Sequence, residues 1–254
     1  MDRMKSLPLI VSTKLSAFPS VRFRMSTRRG GISPDPLGMN LSLRVGDSPS
    51  NVAENRRRFF ASLGSEPSKA AIPHQCHSDH IEVVTHSGEY ETCDGLVTAC
   101  LDLPLVIAVA DCLPVVLFDP TRMVIANVHA GWRGSAKSIV RKAVETMSQV
   151  FGVVPGSIVA YLGPCAGPCC YEIGPEVARQ FSREFVEVRG KTMYLDLKAA
   201  NRAQLLESGV QAKNIEVADD CTICDAANFH SHRRDREQSG RMMAVVSLIS
   251  TQGN

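Results

Sequence analysis

Cys112 and His129 are the residues whose types and spacing most clearly suggest chemistry. Between them, residues 119–122 read Asp-Pro-Thr-Arg, which has turn composition and separates two strand-like runs. If this turn closes a symmetric hairpin, Phe118 faces Met123. Further along the same ladder, Cys112 then faces His129. Opposed residues of antiparallel strands have Cβ atoms about 5 Å apart on one face, so this register predicts a thiolate and an imidazole that share a metal ion or form a Cys–His pair.

A catalytic zinc site has about three protein ligands and one open position, so a third ligand must come from elsewhere in the chain. We expect another histidine in that role. His77 precedes the strand-like run 81–85, and His74 and His80 each lie three residues from it. Residue types and spacing alone do not choose among the three.

Cys221 and Cys224 form a Cys-x-x-Cys motif, which is typical of half a zinc knuckle. A second Cys-x-x-Cys is missing, because three residues separate Cys165 from Cys169 and Cys170 follows directly. We therefore expect buried thiols in a strand–turn segment here and no second structural metal.

The elements that must position these groups mix strands and helices without regular alternation. The hydrophobic pattern predicts strands at 81–85, 95–98, 105–110, 115–118, 123–128, 158–162 and 243–248. It predicts helices at 51–63, from near Ser135 to 151, at 175–185 and at 197–207, with a long surface loop at 28–50. Such a mixture favours an α+β fold with mixed sheets over a doubly wound one. Because the chain has no internal repeat or linker, we expect a single catalytic domain over 1–254.

Charge and composition exclude several classes of partner. A formal net charge of +2 is too small to favour nucleic acid or an anionic membrane surface. No apolar run approaches the ~20 residues that cross a bilayer. Nine cysteines, an odd number that cannot all pair, suggest thiols in a reducing compartment. We therefore predict a cytoplasmic protein with no membrane and no nucleic-acid partner.

Seven ordered segments carry a resemblance that runs from about residue 24 to the C-terminal strand. They are Arg28-Arg29-Gly30-Gly31-Ile32-Ser33, Asn40-Leu41 with Val45-Gly46-Asp47, Gln75-Cys76-His77-Ser78, Ala110-Asp111-Cys112-Leu113-Pro114-Val115, His129-Ala130-Gly131-Trp132-Arg133-Gly134, Gly163-Pro164-Cys165 through Cys169-Cys170-Tyr171-Glu172, and Ser231-His232-Arg233-Arg234-Asp235. Together they resemble the YfiH family of laccase-domain, or polyphenol oxidase-like, proteins. Cys76 and Ser78 replace the family's usual Val and Gly, and His232 replaces its usual Tyr.

The resemblance implies both a metal site and an activity. It implies zinc bound by His77, Cys112 and His129, which would also be the catalytic residues. It implies a zinc-dependent purine nucleoside phosphorylase for adenosine, inosine, guanosine and methylthioadenosine, with adenosine deaminase activity. It further implies a fold similar to the catalytic domain of cytotoxic necrotizing factor, with mixed sheets packed between helical layers.

Phosphorolysis requires a clamp for phosphate, and arginines are the residues suited to it. Arg133 lies just before the helix predicted to begin near Ser135, where backbone N–H groups attract anions. Arg233 and Arg234 are expected to close the other side of the phosphate.

A purine ring requires stacking and edge-on hydrogen bonds. Trp132, the sole tryptophan, is expected to stack on the base, and Asn40 is expected to supply a polar contact. Asp111 is expected to orient one of the metal ligands.

Three other functions compete with this interpretation. The first is a Cys–His hydrolase or transferase, with Cys112 as nucleophile and His129 as base. The second is a copper oxidase of polyphenols, for which seven histidines with a single His-x-His pair are too few, so copper is less favoured than zinc. The third is a binding module that zinc merely stabilises.

Overall fold

The computed structural model describes residues 7–250. Residues 1–6 and 251–254 of the predicted 1–254 domain lie outside the described residues, and the single-domain organisation stays a prediction. The strands are β1 (Leu9–Ile10), β2 (Val21–Ser26), β3 (Ala71–Pro73), β4 (Ile81–Val83), β5 (Gly88–Tyr90), β6 (Gly95–Thr98), β7 (Leu105–Val109), β8 (Leu113–Asp119), β9 (Val124–Ala130), β10 (Val159–Leu162), β11 (Glu172–Ile173), β12 (Val186–Arg189), β13 (Thr192–Leu195), β14 (Ile215–Val217) and β15 (Met242–Leu248).

Seven α-helices lie within residues 7–250. They are α1 (Thr13–Ser16), α2 (Pro49–Ala61), α3 (Trp132–Ala136), α4 (Ile139–Phe151), α5 (Pro175–Ala178), α6 (Leu197–Glu207) and α7 (His232–Asp235). Short 3₁₀ turns occur at Pro67–Lys69, Pro155–Ser157, Arg183–Phe185, Ala212–Asn214 and Arg236–Gln238. None of the helices in this part of the chain is long and apolar enough to cross a membrane.

Two six-stranded sheets form the centre of the molecule. Sheet I has the strand order β1-β2-β15-β7-β3-β5, and sheet II has the order β14-β10-β8-β9-β6-β4. Each sheet contains both parallel and antiparallel pairs. A smaller sheet has the order β11-β13-β12. The predicted α+β fold with mixed sheets is therefore confirmed.

The two large sheets stack face to face, and helices cover their outer faces. Phe23 of sheet I and Tyr161 of sheet II meet between the sheets, with ring centroids 5.0 Å apart. Helix α2 packs Phe59 and Phe60 on the outer face of sheet I, and α4 packs residues such as Val144 on the outer face of sheet II. Strands buried on both faces have continuous apolar sequences, which is why β8 is apolar from Leu113 to Phe118. The predicted helical layers are confirmed, and the likeness to cytotoxic necrotizing factor stays a prediction.

The hairpin of β8 and β9 has a different register from the predicted one. Phe118 pairs with Ile125, not Met123, and His129 pairs with Pro114, not Cys112. The loop is longer than assumed because the Asp119 carboxylate accepts the backbone N–H groups of the second and third residues after it, both at 3.2 Å. The error is two residues, and side chains alternate faces with a period of two, so Cys112 and His129 still lie on the same side.

Two predicted helices end or break earlier than expected. The helix predicted near Ser135 begins at Trp132 and breaks at Ser138, whose φ of 61° separates α3 from α4. The helix predicted over 175–185 stops after Ala178 as α5. Phe181 and Phe185 continue the apolar spacing because both pack on the core, although the chain between them is extended at Ser182.

The cysteines of the Cys-x-x-Cys motif are not buried as predicted. Cys224 is exposed and Cys221 is half-buried. The segment runs along the protein surface beside Cys165. The backbones of Cys165 and Cys221 are paired there in an isolated parallel β-bridge.

Candidate active site

Three side chains from separate segments converge where β8 begins and β9 ends. The Nε2 atom of His77 lies 3.8 Å from the Sγ atom of Cys112, and the rings of His77 and His129 have centroids 4.9 Å apart. One donor atom from each residue lies within 4.8 Å of the others. The structure thus brings together the three residues expected to hold zinc.

The competing histidines lie elsewhere. The ring of His74 is bonded to the carboxylates of Glu89 and Glu91, at 2.6 and 2.9 Å. His80 is bonded to Glu82 at 2.9 Å. Within residues 7–250, His77 is the histidine that joins Cys112 and His129.

The backbone around the group adopts uncommon conformations. His77 has a φ of 60°, and Asp111, which precedes Cys112, has a φ of 84°. Residues other than glycine are uncommon in the left-handed region, which costs of order 1–3 kcal/mol each. His129, by contrast, lies in the regular strand β9 and is only 3% exposed. Loop positions with strained backbone, at His77 and Asp111, therefore place His77 and Cys112. The regular strand β9 holds His129.

Asp94 is a residue that sequence reasoning missed, and it organises the group. It is fully buried just before β6. Its carboxylate accepts the backbone N–H groups of Cys76 (3.2 Å), His77 (3.0 Å) and Ser78 (2.6 Å), the Ser78 hydroxyl (2.7 Å) and the Nδ1–H of His129 (2.7 Å). Burial opposes its charge, but the hydrogen bonds and charge of His129 and the Ser78 contacts hold the pKa of this carboxyl well below its usual range. The sequence signal that could have identified Asp94 is a single aspartate directly before the apolar strand β6.

This arrangement matches the chemistry of a zinc site. Because its Nδ1–H is bonded to Asp94, His129 has its Nε2 free to bind a metal, as zinc-binding histidines backed by carboxylates do. Gly131 leaves room between the donors: a Cβ there would lie 2.9 Å from the His77 ring and 3.2 Å from the Cys112 sulfur. Two imidazoles, one thiolate and open space fit a catalytic zinc ion.

Cys112 and His129 also perturb each other's protonation. Burial alone would raise the pKa of the Cys112 thiol, but the charge of His129 and the hydrogen bonds of both histidines lower it to about 6. Burial would lower the pKa of His129, but the Cys112 thiolate and Asp94 raise it to about 9. These opposite shifts favour a thiolate–imidazolium pair at neutral pH when no metal ion is bound.

A cavity of about 400 Å³ opens onto this group, a size suited to a small organic ligand. Its lining is rich in cations. The lining residues are Ser42, Arg44, Gln75, His77, Ala108, Ala110, Asp111, Cys112, His129, Trp132, Arg133, Tyr171, His232, Arg233 and Arg241. Four arginines and a single carboxylate make this cavity a place where an anion is stabilised.

Trp132, Arg133 and Arg233 all line the cavity, as expected. The guanidinium of Arg133 lies over the Trp132 ring, 4.4 Å from its centroid. That of Arg233 lies over the Tyr171 ring at 5.3 Å. Cation–π contacts of this kind orient a guanidinium while leaving its N–H groups free to donate.

Asn40 and Arg234 do not line the cavity. The Asn40 amide is fully buried and donates to Asp47 at 2.8 Å. Its oxygen accepts the backbone N–H of Arg241 at 3.0 Å. The Arg234 guanidinium pairs with Asp235 and donates to the Phe229 carbonyl at 2.9 Å. Both side chains hold loops together behind the cavity.

Asp111 contacts a loop and not a metal ligand. Its carboxylate accepts the Thr222 hydroxyl at 2.7 Å, the Ser231 hydroxyl at 3.1 Å and the Arg233 backbone N–H at 2.6 Å. The ligand-orienting role expected of Asp111 therefore falls to Asp94 in this geometry. Asp111 instead anchors the segment that carries Arg233.

Sequence reasoning also missed Arg44, Tyr171 and Arg241 as cavity residues. Tyr171 belongs to a segment that carries the family resemblance, which was a usable signal. Arg44 lies in the long loop and Arg241 immediately precedes β15, and neither position has a local sequence pattern that indicates a cavity.

Comparisons with known proteins place the chain in one family. The family described as multi-copper polyphenol oxidoreductase laccase matches residues 22–249. A purine nucleoside phosphorylase of Deinococcus radiodurans is 39% identical over 252 residues, covering 97% of this chain and 95% of its own. The purine nucleoside phosphorylase YlmD of Geobacillus stearothermophilus is 34% identical over 241 residues, covering 87% and 88%. The crystal structure of the Bacillus licheniformis hypothetical protein YfiH superimposes with a TM-score of 0.90 at 30% identity, covering 97% and 98%. The chain belongs to this laccase-domain family, of which the YfiH and YlmD proteins are relatives.

Proposed function

Because the chain belongs to this family, we propose that it is a zinc-dependent purine nucleoside phosphorylase. Its proposed substrates are adenosine, inosine, guanosine and methylthioadenosine with phosphate, and it is proposed also to deaminate adenosine. One observation carries the proposal: the His77, Cys112 and His129 donors face a cavity lined by four arginines. The relatives are named purine nucleoside phosphorylases, and that activity needs an anion site beside a small-molecule cavity.

The arginines account for the phosphate. In phosphorolysis a phosphate oxygen bonds to the anomeric carbon of the sugar as the glycosidic bond to the purine breaks. The purine takes the bonding electrons and a proton. Arg133 and Arg233, each held over an aromatic ring, are suited to bind the phosphate oxygens, and Arg44 and Arg241 add positive charge.

The metal donors account for the proposed deamination of adenosine. Zinc held by His77, Cys112 and His129 would supply a Lewis acid that also lowers the pKa of a bound water. Asp94 keeps His129 in one tautomer and holds the His77 backbone. The Trp132 and Tyr171 rings offer apolar surface to the purine.

Zinc is proposed over copper on the donor set. Multicopper oxidases require clusters of many histidines. In the part of the chain that the structure describes, the possible metal groups are this His–Cys–His set and a set of four cysteines. Neither provides such a histidine cluster. The cytoplasmic location and the absence of a nucleic-acid partner stay predictions.

The direct test is turnover by the zinc-loaded protein. Inosine with phosphate is expected to yield hypoxanthine and ribose 1-phosphate, and adenosine without phosphate is expected to yield inosine. Replacing Arg233 by Met should raise the KM for phosphate by roughly tenfold or more, since a hydrogen bond to a charged group contributes ~1.5–3 kcal/mol. Arg57→Met, which removes an exposed arginine paired with Glu54 on α2, is the matched control. If the zinc-loaded protein turns over none of the four nucleosides, the proposal is contradicted.

A Cys–His hydrolase or transferase is the second candidate. The observation in its favour is the placement of the Cys112 thiol beside His129, which lowers the pKa of Cys112 to about 6 and so favours a thiolate. A zinc-bound thiolate is not free to attack a substrate. Rapid alkylation of Cys112 by iodoacetamide in the metal-replete protein would favour the hydrolase, and protection of Cys112 would favour the phosphorylase.

A further inference from the structure

A second group of thiols lies outside the candidate active site. Cys169, Cys170, Cys221 and Cys224 bring their four sulfur atoms within 4.8 Å of one another. The Cys224 sulfur lies 3.0 Å from that of Cys170 and 3.4 Å from that of Cys169. Cys169 and Cys224 are exposed, and the other two are half-buried. Buried packing therefore does not explain this group.

Two chain segments lie side by side to form it. The backbones of Cys165 and Cys221 form a parallel β-bridge, in which the Thr222 N–H donates to the Cys165 carbonyl at 3.0 Å. The backbone N–H of Gly167 donates to the Cys221 sulfur at 3.2 Å. A Cβ on Gly167 would lie 3.2 Å from the Cys221 Cβ, which is a tight contact. The bare glycine lets the backbone lie close to Cys221, and its N–H supports negative charge on that sulfur.

The sulfur spacing distinguishes metal binding from disulfide bonding. A disulfide requires about 2.05 Å between sulfurs, and all four cysteines are free. Tetrahedral zinc with Zn–S distances of about 2.3 Å places its sulfurs nearly 4 Å apart, roughly the size of this cluster. Four soft donors with no further open position are typical of a structural zinc site.

We propose that Cys169, Cys170, Cys221 and Cys224 bind a structural zinc ion, distinct from the ion of the His–Cys–His group. The site joins two segments that build the cavity. Tyr171 follows Cys170 directly and lines the cavity. Thr222 follows Cys221, and its hydroxyl donates to Asp111, the neighbour of Cys112. The ion thereby holds one wall of the cavity without touching it.

Metal content of the full chain, purified under reducing conditions, tests the proposal. We expect two zinc ions per chain in the wild type, and one in both the Cys169→Ser/Cys224→Ser double variant and the His77→Ala variant. Cys100→Ser, which alters a half-buried thiol bonded to the Thr85 carbonyl, should keep two. A wild type with one ion that the double serine variant retains would overturn the second site and leave the His–Cys–His site untouched.

Cobalt substitution identifies the donors. Four thiolates around cobalt give an intense charge-transfer absorption in the near ultraviolet. Cobalt-loaded His77→Ala should retain most of this band, whereas cobalt-loaded Cys169→Ser/Cys224→Ser should retain only the weaker contribution of the single Cys112 thiolate. The reverse pattern contradicts the proposal.

Alkylation of the wild type keeps the test independent of how the variants fold. Iodoacetamide labelling is followed by mass spectrometry before and after chelation, with exposed Cys76 as the internal reference. Chelation should raise the labelling rates of Cys169 and Cys224 by about tenfold or more, since a metal-bound thiolate is shielded from attack, and leave Cys76 unchanged. Unchanged rates, or a Cys170–Cys224 disulfide in freshly reduced protein, would overturn the site.

Discussion

The two thiol-containing groups of this molecule differ in the number of donors and in what surrounds them. The His–Cys–His group has three donors, a buried carboxylate behind one of them and a cavity in front. The four-cysteine group has four donors at the surface and a backbone N–H donating to one sulfur. Three donors that leave a coordination position open beside a cavity suit a catalytic metal ion. Four cysteines that fill the coordination sphere suit a structural metal ion. Coordination and surroundings, not cysteine content, distinguish the two.

His77→Ala should have the largest effect and separate the groups. Loss of a ligand should lower phosphorolysis by more than about 100-fold, because loss of an outer hydrogen-bond partner alone costs 10–100-fold. His77 is exposed, so the fold should survive. Steady-state kinetics and metal analysis check this, with the ion of the four cysteines expected to remain. Loss of both ions would show that the groups are not independent.

Asp94→Asn should rank second. The amide cannot accept the His129 Nδ1–H and the surrounding backbone N–H groups as the carboxylate does. Zinc affinity at the His–Cys–His group should fall about 10–100-fold. Competition with a chelator of known affinity measures the change. An affinity equal to that of the wild type would remove Asp94 from its proposed positioning role.

Gly131→Ala should have a smaller effect that is confined to one group. Its φ of −70° suits alanine, so the consequence is steric: the new Cβ meets the His77 ring and the Cys112 sulfur. A contact this close costs about 1–3 kcal/mol, or roughly tenfold or more in zinc affinity. Gly46→Ala, where a Cβ has no neighbour within 4 Å, is the control. Equal zinc affinities for the two variants would contradict this geometry.

The pH dependence of alkylation should show the finest difference. In chelated protein, the Cys112 rate should be low below pH 6, rise with a midpoint near the pKa of about 6, and then stay level. The alkylation rate of an ordinary thiol instead rises with a midpoint near pH 8.5. The hydrogen bond with the Cys170 thiol raises the pKa of Cys224 to about 11, so its rate should still be rising in alkaline buffer. Rate profiles resolved by mass spectrometry check this, and coincident midpoints would show that His129 does not stabilise the Cys112 thiolate.

The local sequence pattern predicted the bounds of elements that depend mainly on local sequence. The helix predicted over 197–207 and the strand predicted over 95–98 match α6 and β6. The predicted hairpin register was wrong by two residues, yet Cys112 and His129 share a side because alternation preserves parity. Strands β2 and β14 were missed, since they pair with β15 and β10, which are distant in the sequence.

The sequence by itself determined the α+β class, the family and the residue types that supply the metal donors. Only the tertiary structure decided that Asp94 orients His129, that Asn40 and Arg234 lie behind the cavity, and that Cys169 and Cys170 meet Cys221 and Cys224. The physical reason is distance along the chain: Asp94 and His129 are 35 residues apart, and Cys170 and Cys224 are 54 apart. Periodicity and turn chemistry act over a few residues, so contacts of this range become visible only when the sheets have packed.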